Sequence, residues 1–448
     1  EIVLLLKSAG VARYAASRHL SRIVIGYDSR VQGRFLAQLV SALFLSEGLH
    51  VYLFDRVCSF PELTFAIPFL KADMGILISA SHNDKRYNGY KLVSATGAQF
   101  SVAERNHIYD NFIKKISLAD LKELDLSPEE KNRLVLLGSP RRPGRKGLAG
   151  SSFINVQPHH LAHIKNFILD LKMLRQWAKK ISIGYSAFHG AGRYSVPQLL
   201  KQLGFSKLKV IHRLNRVDGL FPCFLLEQQP DPGDPVAAAI AVREFVREYG
   251  RSAFNRLDLL IGTDPDADRA GVVVRVPGSQ QQAYREIVAR PAHVVLPKKL
   301  SRLGSRGDWL LLEADLTWTL LLWYRLEKKR LAGGDFSEDF VVLNHCTSDA
   351  LAALALKYGV GVVKTWVGFA MISEAIDRVW KGEELSPEKC PHLVYQTIAM
   401  EGRKINVGAF EQSNGFSIFG GPPLPGERLG QNGHVRDKDG TLAAVLLT

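Results

Sequence analysis

Three observations predict an α/β protein made of three consecutive domains. The chain has 448 residues, which is more than one hydrophobic core usually organises. Apolar β runs alternate with segments of helical apolar spacing, and such alternation is typical of βαβ units with a mainly parallel sheet covered on both faces. The pattern restarts twice along the chain. We therefore expect three α/β sandwich domains with mixed, mainly parallel sheets, at residues 1–150, 151–280 and 281–448.

The first domain is predicted to begin with a helix and to continue in strand–helix alternation. Apolar runs such as RIVIGY predict the strands, and apolar residues at helical spacing predict the helices. Pro61 favours a helix start, because proline is tolerated in the first helical turn. The predicted helices are 2–18, 35–46 and one that Pro61 opens, and the predicted strands are 22–27, 50–54 and 74–79.

The same alternation predicts the elements of the other two domains. For the second domain we expect helices at 160–179, 194–203 and 235–249 and strands at 181–188, 208–212 and 257–262. For the third domain we expect strands at 308–313, 339–344 and 360–365 and helices at 315–329, 348–357 and, closing the domain, 441–448.

Composition and charge exclude several classes of protein. Hydrophobic residues make up 46% and charged residues 23% of the chain, which is typical of a folded protein. The formal net charge is +14, but much of the excess lies in residues 131–150 and their Pro/Gly-rich stretch PRRPGRKG (140–147). That stretch predicts a mobile connector. No basic helix with interleaved aromatics occurs elsewhere, so we expect no nucleic-acid partner.

No membrane association is expected either. The longest uncharged apolar stretches, such as 316–324, are far shorter than the roughly 20 residues of a membrane-spanning helix. The N-terminal apolar run is interrupted by Lys7 and lacks the features of a signal peptide. The four cysteines are far apart and include no CxxC pair, which excludes a zinc ribbon or a disulfide scaffold. These features favour the cytoplasm.

A turn with three alternating carboxylates follows the strand predicted at 257–262. Asp264, Asp266 and Asp268 can converge on one hard cation, because Mg²⁺ prefers several oxygen ligands at short distance. An EF-hand is excluded, since the sixth loop position is Arg269 where that loop needs glycine. The alternative is an Asp-rich turn with caps and a salt bridge to Arg269. We expect the turn to lie at a solvent-filled cleft.

A second polar loop follows the strand predicted at 74–79, at the strand end where α/β sheets bind ligands. Ser81 is flanked by the imidazole of His82, and Lys91 lies ten residues further on. A hydroxyl that accepts and returns a phosphoryl group needs a base and a cationic or metal setting, because phosphoserine carries about −1.5 to −2 charges. The alternative is an ordinary turn, since Ser, His and Asn are common turn residues.

Several motifs now identify a resemblance. SASHNDKRYNGYKL (79–92) closely resembles the active-serine loop of the α-D-phosphohexomutases, the phosphoglucomutase and phosphomannomutase family. GTDPDADR (262–269) is similar to the magnesium loop of that family, and FEQSNGF (410–416) is similar to its sugar-recognition loop. Shorter matches agree in order and extend the resemblance over nearly the whole chain: GYDSR (26–30), FHGAGR (188–193), TSDAL (347–351), TWVGF (365–369) and VRDKDG (435–440).

The resemblance implies a phosphoserine and a magnesium ion. Ser81 would be the phosphorylated serine, and one phosphate oxygen would complete the Mg²⁺ shell formed by Asp264, Asp266 and Asp268. By the same resemblance Lys91 would act near the transferring proton.

The resemblance also implies which residues surround the phosphate and the sugar. His82 and Arg269 would stabilise charge around the phosphate. Glu411 and Ser413 would form hydrogen bonds with sugar hydroxyls. His345 and Gly368 would also belong to the substrate-binding set, although many relatives have another basic residue at position 345.

Two parts of the family pattern are absent from this sequence. Members begin with a strand and a loop of the Gly-Thr-x-Gly-x-Arg type, and they end with a fourth domain carrying a loop of the Arg-x-Ser-Gly-Thr-Glu type that holds the non-transferring phosphate. We therefore expect the chain to lack that first strand and the fourth domain. Ala370 stands where relatives often have lysine.

The sequence thus predicts a Mg²⁺-dependent phosphosugar mutase. It would be a monomer that interconverts hexose 1-phosphate and hexose 6-phosphate, with hexose 1,6-bisphosphate as intermediate and activator. One alternative is a phosphosugar-binding module that is truncated or turns over weakly. Another is an aspartyl-phosphate phosphatase, since a strand followed by DxDxD superficially resembles the haloacid-dehalogenase nucleophile loop. The residues do not discriminate between glucose and mannose phosphates.

Overall fold

The computed structural model describes residues 1–121, 124–138, 152–276 and 309–448. It confirms the predicted α/β class, with three mixed sheets among these residues. The basic stretch 140–147, predicted as a connector, lies outside the described residues. The domain boundaries predicted near 150 and 280 also lie outside them and stay predictions.

The first sheet has six strands in the order β4-β3-β1-β2-β5-β6. All neighbours are parallel except β3 and β4, which are antiparallel. The predicted strands β1 to β3 are almost wholly buried, as their apolar runs require. The strands are β1 (Arg22–Tyr27), β2 (His50–Phe54), β3 (Met74–Ile78), β4 (Lys91–Ser94), β5 (Leu134–Leu137) and β6 (Ser152–Ile154). The helices of this part are α1 (Ile2–Ser17), α2 (Gly33–Ser46), α3 (Phe60–Phe69), α4 (Val102–Asn111) and α5 (Pro128–Asn132).

The second sheet has five strands in the order β11-β10-β9-β7-β8, and β9 and β10 form an antiparallel hairpin. The helix predicted at 160–179 is in fact two helices, because Asp170 caps a new helix by accepting from Met173 N at 2.8 Å. The strands are β7 (Ser182–Ser186), β8 (Lys207–Val210), β9 (Leu259–Thr263), β10 (Ala270–Arg275) and β11 (Trp309–Leu311). The helices are α6 (Gln157–Lys165), α7 (Leu171–Ala178), α8 (Val196–Gln202) and α9 (Pro235–Phe254).

The third sheet has five strands in the order β14-β13-β12-β15-β16. The strand predicted to open this part, 308–313, is wrong in its placement: β11 pairs with β10, with Leu311 opposite Val273, and completes the second sheet. The strands of the third sheet are β12 (Asp339–Asn344), β13 (Gly361–Thr365), β14 (Val394–Ile398), β15 (Ile405–Glu411) and β16 (Gly415–Ser417). The helices are α10 (Ala314–Leu331), α11 (Asp349–Lys357), α12 (Phe369–Trp380) and α13 (Gly440–Leu446).

A continuous hydrophobic core joins the second and third sheets. It includes Ile261 of β9, Trp318 of α10, Phe410 of β15 and Leu442 of α13, all essentially buried. Helix α13, predicted to close the third domain, packs against α8, β9 and β10 of the second sheet as well as against β16. The last helix therefore fastens these two sheets to each other.

Within the described ranges, no helix is both long enough and apolar enough to span a membrane.

Candidate active site

The serine loop and the carboxylate turn meet between the first and second sheets. Ser81 lies three residues beyond the end of β3, and Asp264 follows directly after β9. The Ser81 hydroxyl donates to Asp264 Oδ2 over 3.0 Å. Two loops separated by 183 residues in sequence are thus in direct contact at the carboxyl ends of their strands, the edge where α/β sheets bind ligands.

The three aspartates form a tight, buried cluster in the β9–β10 turn. Asp264, Asp266 and Asp268 have no exposed surface, and each offers a carboxylate oxygen within 4.8 Å of the others. Burial, followed by repulsion from Asp268 and Asp266, raises the pKa of Asp264 well above its ordinary value. The expectation of a solvent-filled cleft is therefore wrong for these side chains, because the first sheet covers the turn.

Lys91 neutralises part of this charge. It is the first residue of β4, the edge strand that pairs with β3, and its Nζ donates to Asp266 Oδ2 at 2.7 Å and to Asp268 Oδ2 at 2.9 Å. Burial alone would lower the pKa of Lys91, but the two carboxylates raise it above its ordinary value. Lys91 is therefore an ammonium ion at neutral pH.

The cluster retains oxygens that suit a hard cation. Oδ1 of Asp266 and Oδ1 of Asp268 are buried and have no hydrogen-bond partner among the described residues. Unpaired buried carboxylate oxygens are costly, and Mg²⁺ prefers oxygen ligands of this kind. The donor set therefore fits the predicted magnesium ion.

Arg30 braces the serine loop, a role that the sequence analysis missed. Its guanidinium donates to the carbonyl oxygens of Ser81 (2.6 Å), Asp84 (2.7 Å) and Tyr87 (2.8 Å), and also to that of Asn83. Ser81 has φ of 53°, in the left-handed region, which costs energy for a residue with a side chain. Four bonds from one side chain offset that cost. The signal that could have revealed this brace is the GYDSR motif, which had no assigned role.

Ser79 and Asp28 form a second layer beneath the serine loop. Ser79 Oγ lies 2.7 Å from Asp28 Oδ2 and 3.0 Å from Asp266 Oδ2, and it accepts from the Ser81 backbone N–H at 2.9 Å. Burial raises the pKa of Asp28 to about 6, against the attraction of Arg30. Ser79 thus connects the serine loop to the carboxylate turn.

Asp231 is a further residue that the sequence analysis did not assign. It accepts from Arg269 Nη1 at 3.0 Å and lies 3.8 Å from His82 Nε2. His82 Nδ1 is 3.4 Å from Ser81 Oγ. Burial, followed by repulsion from Arg269, lowers the pKa of His82. His82 is therefore a neutral hydrogen-bonding group beside the serine at pH 7, and Arg269 supplies the fixed positive charge.

The predicted sugar loop lies against the carboxylate turn. Arg269 and Gly415 form an antiparallel backbone bridge, and Asn414 Nδ2 donates to the Ala270 carbonyl at 3.0 Å. Glu411 is buried, and its Oε2 accepts from Lys438 Nζ at 3.2 Å. Burial would raise the pKa of Glu411, but Lys438 and a hydrogen bond from Ser413 hold it below its ordinary value.

The remaining predicted substrate residues, His345 and Gly368, lie at one edge of the third sheet. They follow the ends of the neighbouring parallel strands β12 and β13, and His345 N donates to the Thr365 carbonyl at 2.8 Å. The His345 ring contacts the rings of Trp366 and Tyr395. No described hydrogen bond joins them to the serine or the aspartates, so their assignment stays a prediction.

Comparison with known protein families gives matches over two parts of the chain. The profile for phosphoglucomutase/phosphomannomutase, alpha/beta/alpha domain I, matches residues 2–118, and the profile for domain II matches residues 158–278. Together they match more than half of the chain.

Individual relatives are phosphoglucomutases. Phosphoglucomutases of Staphylococcus aureus strains MRSA252 and N315 are 30% identical over 267 residues, which is 59% of this chain and 43% of theirs. The matched region is thus less than half the length of these curated relatives.

Solved structures resemble the chain over almost its full length. A Thermus thermophilus protein assigned as a phosphomannomutase has a TM-score of 0.62 at 21% identity. The alignment includes 99% of this chain and 74% of the Thermus thermophilus chain. The phosphoglucomutase parafusin of Paramecium has a TM-score of 0.60 at 17% identity, with coverages of 99% and 66%. At these identities the likeness concerns the fold.

Proposed function

The chain belongs to the phosphoglucomutase/phosphomannomutase family, and on that premise we propose that it interconverts hexose 1-phosphate and hexose 6-phosphate through a phosphoserine at Ser81. The observation that carries the proposal is the 3.0 Å contact between Ser81 Oγ and Asp264 Oδ2. It joins the only predicted phosphate acceptor to the buried carboxylate cluster.

Phosphoryl transfer exchanges one P–O bond for another. The bond between phosphorus and Ser81 Oγ breaks, a bond between phosphorus and a sugar hydroxyl oxygen forms, and the proton of that hydroxyl is balanced by one gained at Ser81 Oγ. The return of the other phosphate of the bisphosphate restores the phosphoserine. Lys91 and Arg269 hold fixed positive charge beside the serine, and such charge stabilises the spread negative charge of the transition state.

Asp264, Asp266 and Asp268 would hold the magnesium ion. When bound, the ion would supply positive charge against the phosphate oxygens. The Oδ1 atoms of Asp266 and Asp268, which accept no hydrogen bond from the described residues, support this assignment. Ser79 and Arg30 then act on the serine loop and fix the position of Ser81 Oγ relative to the cluster.

The sugar would bind beside the same cluster. Glu411 and Ser413 are proposed to form hydrogen bonds with hydroxyls of the hexose, and Lys438 orients Glu411 through its 3.2 Å contact. His345 and Gly368 are proposed to contact the substrate from the edge of the third sheet. Glu411 and Ser413 would contact hydroxyls that glucose and mannose share, so the proposal does not specify which of the two sugars binds.

The test is the site of phosphate incorporation. The protein is incubated with glucose 1,6-bisphosphate, and the phosphate transferred to the protein serves as the label. Mass spectrometry locates it in the wild type, in Ser81→Ala and in the control Ser94→Ala. The Ser94 hydroxyl that the control removes lies on β4 beside Thr96. We expect label on Ser81 in the wild type and in Ser94→Ala and none in Ser81→Ala.

The other outcomes identify the alternatives. Hydroxylamine-sensitive label on an aspartate would show an aspartyl-phosphate enzyme. Equal labelling of Ser81→Ala would remove Ser81 from the mechanism. Binding of the bisphosphate without any label would show a phosphosugar-binding module.

A further inference from the structure

Arg325 lies in α10, on a part of the molecule that the proposed mechanism does not use. Two cavities of about 350 and 580 Å³ are lined by this side chain. The loop at Gln431 and Asn432 also lines both of them. Arg325 therefore stands between two neighbouring spaces, each large enough for a small-molecule ligand.

Two of the three guanidinium nitrogens of Arg325 lack a hydrogen-bond partner in the part of the chain that the structure describes. These atoms, Nε and Nη1, are shielded from solvent. A guanidinium carries five N–H donors and accepts nothing, and leaving buried charged donors unpaired is costly. Burial lowers the pKa of Arg325 to about 10, against the attraction of Asp339, so the side chain remains cationic at neutral pH.

The neighbouring charges are already paired with each other. Lys329 Nζ donates to Asp339 Oδ2 at 2.5 Å, and Lys404 lies 3.7 Å from Glu338. Asp339 Oδ1 lacks a hydrogen-bond partner, yet no ion pair within the described residues joins it to Arg325. Arg325 is therefore attracted by the Asp339 carboxylate without forming an ion pair with it, and its Nε and Nη1 keep unused N–H donors.

Groups of both charges line the cavities around Arg325. The Lys404 ammonium and the Glu338 carboxylate line the smaller cavity, and the Asn166 amide lines the larger one. Glu427 also lines the larger cavity, but its side chain is exposed to solvent. The unpaired N–H donors of a cationic guanidinium select a ligand that accepts hydrogen bonds, and an anionic oxygen accepts the strongest of them.

We propose that Arg325 forms a second ligand site, separate from the Ser81 site, that binds a small oxyanion, either a phosphate group or a carboxylate. The proposal is independent of the mutase function, because none of its residues belongs to the serine loop, the carboxylate turn or the sugar loop.

The experiment counts bound anions. Equilibrium dialysis with ³²P-labelled inorganic phosphate is carried out on the wild type, on Arg325→Met and on the control Arg330→Met, whose arginine is exposed and paired with Glu327. Replacing a buried unpaired cation with an apolar side chain of similar length is expected to preserve folding. Arg325→Lys serves as a second variant that keeps the charge and loses the planar fork.

We expect the wild type and Arg330→Met to bind one more phosphate per chain than Arg325→Met. In Arg325→Lys, the phosphate concentration that half-fills this site should rise by roughly tenfold or more, since charge-assisted hydrogen bonds are lost. Displacement of the Arg325-dependent phosphate by acetate, at constant ionic strength set with chloride, would identify a site that accepts carboxylates. Retention would identify phosphate as the preferred group. Equal stoichiometry in the wild type and Arg325→Met would overturn the proposal.

Discussion

The molecule has two joints, the contact region between the first and second sheets and the contact region between the second and third sheets, and they differ in their chemistry. Between the first and second sheets the contacts at the candidate site are hydrogen bonds and ion pairs, such as Ser81 to Asp264 and Lys91 to Asp266. A backbone bond from Phe60 N to the Asp266 carbonyl at 2.7 Å reinforces them. Between the second and third sheets the largest contact is a continuous apolar core that α13 completes, beside the backbone bridge between Arg269 and Gly415.

The difference indicates that the polar joint serves the proposed reaction and that the apolar joint serves stability. The polar joint contains the proposed phosphate acceptor and the proposed magnesium ligands, and it buries charges that depend on their partners. The apolar joint contains none of the proposed catalytic groups, and its burial is the main stabilising term. Substitutions in the two joints should therefore have different signatures.

The largest effect is expected at Arg30, because its replacement should lower both stability and phosphate incorporation. Arg30→Met removes the cation that faces Asp28 at 3.2 Å and removes one hydrogen-bond donor from each of four carbonyl oxygens. Breaking a buried pair costs about 3–5 kcal/mol. We expect denaturant unfolding to show a loss of that order, together with loss of phosphate incorporation on Ser81.

Arg86→Met is the matched control for this prediction. Arg86 pairs with Asp84 of the same loop but is 44% exposed, so its loss should change stability by less than about 1 kcal/mol. If the two variants have equal stability, Arg30 does not brace the loop.

Leu442→Ala tests the apolar joint. Leu442 is fully buried in the core shared by the second and third sheets, and truncation of such a leucine costs about 2–5 kcal/mol. Chemical denaturation should report this loss, while phosphate incorporation per folded molecule stays unchanged. Leu331→Ala, at a side chain 66% exposed, should leave stability unaffected. A stable Leu442→Ala with impaired phosphorylation would reverse the assignment of roles.

Asp266→Asn tests the carboxylate cluster in the polar joint. Removing one carboxylate charge should raise the Mg²⁺ concentration that half-saturates phosphate incorporation by roughly tenfold or more. Because Asp266 is fully buried against Lys91, some loss of stability is also expected. Asp231→Asn, beside Arg269 but outside the trio, should leave the Mg²⁺ midpoint unchanged. An unchanged midpoint in Asp266→Asn would reduce the trio to a structural turn.

The last effect appears only at acid pH and concerns stability at the apolar joint, where a histidine cluster connects α6 to the segment before α13. Asp439 Oδ2 lies 3.1 Å from His160 Nε2 and 2.7 Å from His434 Nε2, and His163 stacks on His434. Burial, followed by repulsion from His434 and His160, lowers the pKa of His163 to about 3. The unfolded chain, with an ordinary histidine pKa near 6.5, therefore binds the proton more tightly.

Stability from His163 is consequently present above about pH 6.5 and lost as the pH falls toward about 3, with a slope of at most ~1.4 kcal/mol per pH unit. His163→Phe should flatten this part of the pH–stability curve measured by urea unfolding. His159→Phe, at an exposed neighbour, should not. A slope that His163→Phe leaves unchanged would contradict the assignment.

The sequence predicted the central elements of the fold well, because long apolar runs such as RIVIGY become buried strands regardless of context. It missed β4, whose four residues KLVS are short and half-exposed, since such a strand exists only through its pairing with β3. The single helix predicted over 160–179 failed at Asp170, where capping competes with helix continuation. β11 was assigned to the wrong sheet, because pairing partners cannot be read from a strand's own residues.

The candidate site was predictable where the reactive side chains lie close together in the sequence. The Asp264 turn and the Ser81 loop both follow apolar strands and could be recognised separately. Their burial could not, because it is created by the other sheet. The supporting residues Arg30 and Ser79 were missed for the same reason: Ser79 reaches Asp266 across 187 positions, a distance over which no spacing rule applies.

The backbone bridge between Arg269 and Gly415 has a consequence for how such a protein can diversify. The turn that carries the aspartates and the loop that carries Glu411 share this bridge and the Asn414 bond to Ala270. A Cβ added at Gly415 would lie 2.8 Å from Lys438 Cδ. If the loop of Glu411 binds the sugar and the turn binds the metal, as proposed, substitutions in that loop should also change metal affinity at the aspartates.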